Sequence, residues 1–147
     1  GAFGIVCSSD LVLSMSNARF AMTETRLGLS PAQIAPYVID RLGFSNARKL
    51  ILLGFSIDGN QAYDIGLTDY LSTTKEEFNE TLNSIKRQVN QCAPRALTLT
   101  KKIIRPRNEI DIDHSAKIFA ECIESEEGKE GIKSFFEKKK PYWAVRS

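Results

Sequence analysis

The sequence predicts an α/β fold in which a core layer of short strands and helices, residues 1–72, precedes an all-helical region, residues 73–147. Three observations point to it. Two short runs rich in β-favouring residues, Asp10-Leu-Val-Leu-Ser and Ala18-Arg-Phe-Ala-Met, are bounded by the turn-like Ser14-Met-Ser-Asn. Ser30-Pro31, a capping hydroxyl before a proline suited to the first helical position, opens a helix soon afterwards. Beyond residue 72 only helical periodicity is left, most clearly at Phe78, Leu82, Ile85 and Val89.

The elements follow in order. Residues 1–9 predict a short buried helix, because Phe3, Ile5, Val6 and Cys7 are apolar on every side and Gly1 and Gly4 allow close backbone approach. After the two strands, the helix opened by Ser30 runs through Ile34, Val38 and Leu42 to Gly43, a stop signal. Pro36 lies inside it, where a missing backbone donor predicts a kink. Ser45 is expected to cap a second helix ending at Gly54, and Asp58 a third ending at Gly66. Leu67 to Leu71 reads as an edge strand. The helix of Phe78, Leu82, Ile85 and Val89 stops before Pro94, another spans Pro94 to Ile104, and Pro106 with Asn108 marks a loop. Ile112, Ala116, Phe119 and Ile123 share one face of the next helix. The last helix carries Ile132, Phe135 and Phe136 ahead of Lys138-Lys-Lys-Pro-Tyr-Trp.

Composition narrows the function classes. With 42% hydrophobic and 26% charged residues, 147 residues can build one ordinary globular core. Twenty basic residues nearly match 18 acidic ones, so the charge of +2 demands neither nucleic acid nor an anionic membrane. Cys7, Cys92 and Cys122 form an odd set without C-x-x-C spacing, which fits reduced thiols in a cytoplasmic protein better than disulfides or zinc. The longest apolar runs, Leu11-Val-Leu and Leu50-Ile-Leu-Leu, are too short to span a bilayer, and no basic-then-apolar leader opens the sequence. The chain enters apolar structure at once on Gly1-Ala-Phe-Gly and reads as an interior piece of a longer protein.

Four features bear on chemistry. Glu24 lies between a strand and a capped helix, where an acid can meet a substrate beside helix-terminal N–H groups; the ordinary alternative is a solvated surface pair with Arg26. Glycines at 1 and 4 let helix-start amides approach an oxygen gaining negative charge, or simply pack closely. His114 between Asp111 and Asp113 superficially resembles a metal cluster, but no second histidine or clustered cysteine completes one, and Asp113 suits a helix cap. Lys138 to Lys140 beside Phe135, Phe136, Tyr142 and Trp143 suit a phosphate with a base to stack on; a solvated basic tail is the alternative.

Taken together, Gly1-Ala-Phe-Gly-Ile-Val-Cys-Ser-Ser-Asp-Leu, Ala18-Arg-Phe-Ala-Met-Thr-Glu-Thr-Arg-Leu-Gly-Leu-Ser-Pro-Ala, Gly66-Leu-Thr-Asp and Glu130-Gly-Ile-Lys-Ser-Phe-Phe-Glu-Lys-Lys-Lys-Pro resemble the C-terminal part of the crotonase superfamily, the enoyl-CoA hydratases and isomerases. The resemblance implies the C-terminal half of a ββα spiral core, followed by a helical trimerisation region. It also implies a homotrimer or hexamer, an N-terminal half outside this sequence, an acyl-CoA thioester as substrate, and no separate cofactor, metal, nucleic acid or membrane. Carried over by position, Gly1 matches an oxyanion-hole amide and Glu24 the second of two catalytic glutamates. Ala32 matches a helix-start amide lining the pocket, and Phe119, Phe135 and Lys138 match contacts to the adenine and phosphate end of coenzyme A. The first glutamate position falls on Gly4, a departure from the two-glutamate pattern.

Leu27-Gly-Leu-Ser-Pro-Ala-Gln-Ile-Ala-Pro-Tyr-Val-Ile and Gln91-Cys-Ala-Pro-Arg-Ala further resemble bacterial hydratases of branched glutaconyl-CoA thioesters, enzymes of leucine or acyclic terpene breakdown. That resemblance implies a hydratase acting on a branched 2-enoyl-CoA with Glu24 as its only glutamate. Two alternatives remain open at this point: a 3-enoyl to 2-enoyl-CoA isomerase, in which one base shuttles one proton, and a non-catalytic acyl-CoA-binding or oligomerising fragment.

Overall fold

The computed structural model of the chain describes residues 2–27, 29–104 and 112–144, with backbone alone at 112–116. The expected loop at Pro106 and Asn108 lies outside the described residues. The chain forms two compact units, Gly1–Leu82 and Asn83–Ser147.

The first unit contains α1 (Ala2–Ser8), β1 (Leu13–Met15), β2 (Arg19–Ala21), a 3-10 turn (Glu24–Leu27), α2 (Ala35–Leu53), β3 (Ser56–Asp58), α3 (Gly59–Asp64) and β4 (Tyr70–Ser72). The helix α4 (Lys75–Asn90) begins here and runs across the division. The core is Phe3, Cys7, Met22, Val38, Leu42, Ala47, Leu50, Ile57, Ala62 and Leu67, and α1 packs on α2. Burying so many apolar side chains is the main force holding these short elements together. α1 is not buried all round as its composition predicts, since Ile5 is 69% exposed on its outer face.

The two early strands do not pair with each other. β1 runs parallel to β4, with Ser14 opposite Leu71, while β2 runs antiparallel to β3, with Phe20 opposite Ile57. The turn after Met15 therefore passes the chain from one two-stranded sheet to the other. Gly59 lies against this crossing, its N–H donating to Ser16 O at 3.0 Å; a Cβ at residue 59 would come within 2.0 Å of Met15 O. β1 also starts later than Asp10, because Val12 O accepts from the Asp69 and Tyr70 amides and Val12 N–H donates to Asp69 Oδ2. β4 likewise starts after Leu67, as the Leu67 and Thr68 amides close the end of α3 on Ala62 O.

The helix after Ser30 departs from expectation in three ways. Residues 32–34 form a turn in which the Ile34 and Ala35 amides both donate to Pro31 O, so Ile34 and not Ser30 stands at the N-cap of α2. Pro36 thus falls in the first turn, where its missing donor would be unpaired anyway, and produces no kink. The break falls at Gly43 as expected, its φ of 69° and ψ of 160° dividing α2 into two segments, but Ser45 sits within the second segment and does not cap it. Asp58 caps α3 as expected, through a capping box in which its Oδ1 accepts from Gln61 N–H at 2.9 Å and Gln61 Oε1 accepts from Asp58 N–H at 3.0 Å.

The second unit is built from α5 (Pro94–Ile103), α6 (Ile112–Glu124) and α7 (Glu126–Phe136), which contact one another around Leu99, Ile118 and Ser134. Among the described side chains of α6 the buried residue is Ile118 at 6% exposure, whereas Phe119 of the predicted face is 67% exposed. Ser125 caps α7 by accepting from Gly128 N–H, and Arg95 joins all three helices through Glu121 Oε1 and Glu127 Oε2. Trp143, in a 3-10 turn over Tyr142–Ala144, donates its indole N–H to Gln91 O at 3.2 Å.

Candidate functional site

Glu24 is half-buried and begins the 3-10 turn that follows β2 and the almost fully buried Met22. The turn is closed by Arg26 N–H donating to Thr23 O and Leu29 N–H donating to Glu24 O. Its side chains then fasten it to the far end of α2. Thr25 Oγ1 donates to Ile51 O and Arg26 Nε donates to Leu53 O, each at 3.2 Å, while Gly54 N–H takes Leu50 O. The Ile51 and Leu53 carbonyls belong to the last turn of a helix, where intrahelical donors run out and a cation is favoured. Gly54 completes the joint: its φ is +59°, and a Cβ there would meet Thr25 Oγ1 at 2.9 Å and Arg26 Cγ at 3.0 Å.

Arg26 is therefore not the surface partner of Glu24. The Glu24 carboxylate makes no hydrogen bond or ion pair to any described residue, and its neighbours on both sides are occupied in holding the turn. A carboxylate fixed by its backbone but left without an internal partner can accept or return a proton to a bound molecule. Sequence reasoning found Glu24 but missed Thr25, Arg26 and Gly54 as its support. Only the glycine left a signal, as a helix stop.

The other predicted site residues fall as follows. Ala32 is exposed in the turn before α2; the two amides that follow Gln33 are tied to Pro31 O, and Ala32 N–H has no hydrogen bond to a described residue. Gly1 lies outside the described residues, while Gly4 is buried in α1. In the second unit Phe119 and Phe135 are 67% and 79% exposed, and the Phe135 ring meets Phe136 edge-on at 5.8 Å. Lys138 is exposed and adopts a left-handed φ of 52°. It occupies the position after the α7 cap: Lys139 N–H returns to Ser134 O and Lys138 N–H to Phe135 O, a Schellman closure in which glycine is usual. His114 is in α6, but its side chain is outside those described, and Asp111 lies outside the described residues altogether.

A cleft of about 240 Å³ lies elsewhere in the first unit, floored by Leu50, Phe55, Ile57 and Ile65; none of the predicted site residues lines it. Among the described residues the one strongly perturbed group, Cys7, is buried in α1: burial pushes its thiol up to about 11 against the opposing pull of Arg41, so it stays protonated and inert at neutral pH.

The sequence matches the enoyl-CoA hydratase/isomerase family model over residues 1–146. It is 32% identical over 145 residues to the short-chain-enoyl-CoA hydratase of Clostridium acetobutylicum, covering 95% of this chain and 55% of that protein. Among solved structures it resembles Pseudomonas aeruginosa AtuE, with a TM-score of 0.90 and 36% identity over 97% of this chain and 57% of that one. An enoyl-CoA hydratase/isomerase from Marinobacter aquaeolei gives a TM-score of 0.90 at 38% identity, over 97% and 55% of the two chains. The chain thus spans little more than half the length of these relatives. With a family match that runs almost from end to end and a shared crotonase-like α/β fold, the chain belongs to the enoyl-CoA hydratase/isomerase family.

Proposed function

We propose that the protein hydrates a branched 2-enoyl-CoA thioester, with Glu24 as its acid/base and the Gly1 N–H as one oxyanion donor. The observation that supports this most is Glu24 itself, a half-buried carboxylate with no described partner, on a turn fastened by Thr25 and Arg26 and close in sequence to the start of α2. In this reading Glu24 takes a proton from water as the water oxygen bonds to the β-carbon. The alkene electrons move to the thioester oxygen as enolate charge, which N–H donors stabilise, and a proton returned to the α-carbon completes the addition. Phe119, Phe135 and Lys138 serve coenzyme A, an assignment favoured by two exposed aromatic rings and an exposed cation.

One observation favours a second reading. Gly4 supplies no side chain where the two-glutamate pattern has its first acid, and a single base suffices to move a proton between the α and γ carbons of a 3-enoyl thioester. The deciding experiment incubates the full-length protein with 3-methylglutaconyl-CoA and longer branched 2-enoyl thioesters and follows loss of enoyl absorbance. Hydration should occur and fall by about 10²–10⁴-fold in Glu24→Gln. Deuterium entering from solvent without net hydration identifies the isomerase instead, and unchanged rates in Glu24→Gln refute the role of that carboxylate.

A further inference from the structure

Two side-chain bonds join the turn of Glu24 to the end of α2. Thr25 Oγ1 donates to Ile51 O from a half-buried position and Arg26 Nε donates to Leu53 O from an exposed one, each at 3.2 Å. The acceptor side is firmly held, since Leu50 of the same helical turn is 2% exposed in the core and its carbonyl accepts from Gly54 N–H at 3.0 Å. Arg26 also closes the turn through its backbone, donating its N–H to Thr23 O at 3.0 Å. Its stem lies against Gly54, where a Cβ would come within 3.0 Å of Arg26 Cγ and 3.4 Å of Arg26 Cδ. Because Nε is the donor, the bond fixes the stem as well as the tip of the side chain. The guanidinium, directed at a carbonyl of α2, forms no ion pair with Glu24 two residues before it.

We infer that Arg26 is a positioning residue for the hydration: its bond to the Leu53 carbonyl holds the Glu24 turn against α2 and so sets where the Glu24 carboxylate stands. Arg26 acts only through Glu24 and does not touch the substrate. This rests on the acid/base reading of Glu24. A side chain with no donor at the Nε position opens one side of the joint, and the carboxylate then spreads over positions of which few suit proton transfer. Thr25 keeps the other side closed, so the loss is partial.

The test is steady-state hydration of 3-methylglutaconyl-CoA by the full-length protein and its variants. Arg26→Met keeps the stem and removes the donors, so kcat should fall about tenfold with KM unchanged, less than the roughly hundredfold cost of a misplacement of about 1 Å because Thr25 still holds the turn. Arg26→Gln puts an amide N–H donor where Nε stood and should recover most of kcat, which separates the bond from the charge. In a Glu24→Gln background Arg26→Met should cost nothing further, as befits a residue that acts through Glu24. Arg26→Ala reads the same loss if the methionine variant does not fold. An unchanged kcat in the variant that folds, no recovery with glutamine, or the same loss in the Glu24→Gln background overturns the inference and leaves the role of Glu24 standing. An unchanged rate in Glu24→Gln, or no hydration by the wild type, refutes the underlying reading and the positioning role with it.

Discussion

Replacing Arg41 by Met removes a guanidinium that serves three acceptors at once. Its Nη2 donates to Asp69 Oδ2 at 2.6 Å, its Nε to Leu67 O at 3.2 Å and its Nη1 to Ser9 O at 3.3 Å. Asp69 Oδ2 also accepts Val12 N–H at 2.6 Å, so the end of α1, the approach to β1, the first segment of α2 and the approach to β4 meet at one ion pair. The Arg41 side chain is only 13% exposed and that of Asp69 34%, which places the pair between two regimes. An exposed pair contributes about 0–1 kcal/mol, whereas removing one partner of a buried pair costs about 3–5 kcal/mol. Met keeps most of the aliphatic packing but leaves the Ser9 and Leu67 carbonyls without this donor, so a loss of about 2–3 kcal/mol is expected. Urea unfolding followed by far-ultraviolet circular dichroism measures it. Asp69→Asn keeps an oxygen for Val12 N–H and should cost less, and the double variant should show a coupling of about 1 kcal/mol or more. A loss below about 0.5 kcal/mol in Arg41→Met, the range of an ordinary surface change, would refute the clamp.

Two further outcomes follow from local geometry. Lys138→Gly removes a left-handed non-glycine residue from the end of α7 and should raise stability by about 1 kcal/mol in a thermal melt, while weakening coenzyme A binding if the lysine contacts phosphate; a lower melting temperature would contradict the backbone argument. The Cys7 thiol titrates near 11 when folded against an ordinary value of 9.0, because burial disfavours the thiolate more than Arg41 favours it. Between those values the unfolded chain has released a proton that the folded chain keeps, so stability is full below pH 9 and falls as pH rises. Cys7→Ala should flatten that part of the curve of melting temperature against pH; parallel curves for the two proteins would count against it.

Features set by residues three or four apart were legible in the sequence. The Asp58 cap, the α4 repeat and the glycine at the end of α2 each depend on hydrogen bonds or side-chain faces within one turn, so neighbouring residue types suffice to foresee them. Glu24 was legible as a position, an acid leaving a strand, but not as a state: only the fold shows Arg26 turned away to Leu53 O. The face of α6 misled for a related reason. Ile118 and Phe119 are adjacent, both apolar, and either could define the stripe; packing against α5 and α7 decides for Ile118.

By itself the sequence determined the Asp58 helix start, the glycines at which α2 breaks and ends, which acid stands at a strand end, and the family. Tertiary structure alone decided that β1 and β2 pair with β4 and β3, since strand registry is chosen by distant partners and not by the turn between the strands. It also decided why residues 4, 54 and 59 carry no side chain, because the atoms that forbid one, from Ile34, Thr25 and Met15, come from residues at least 29 positions away along the chain.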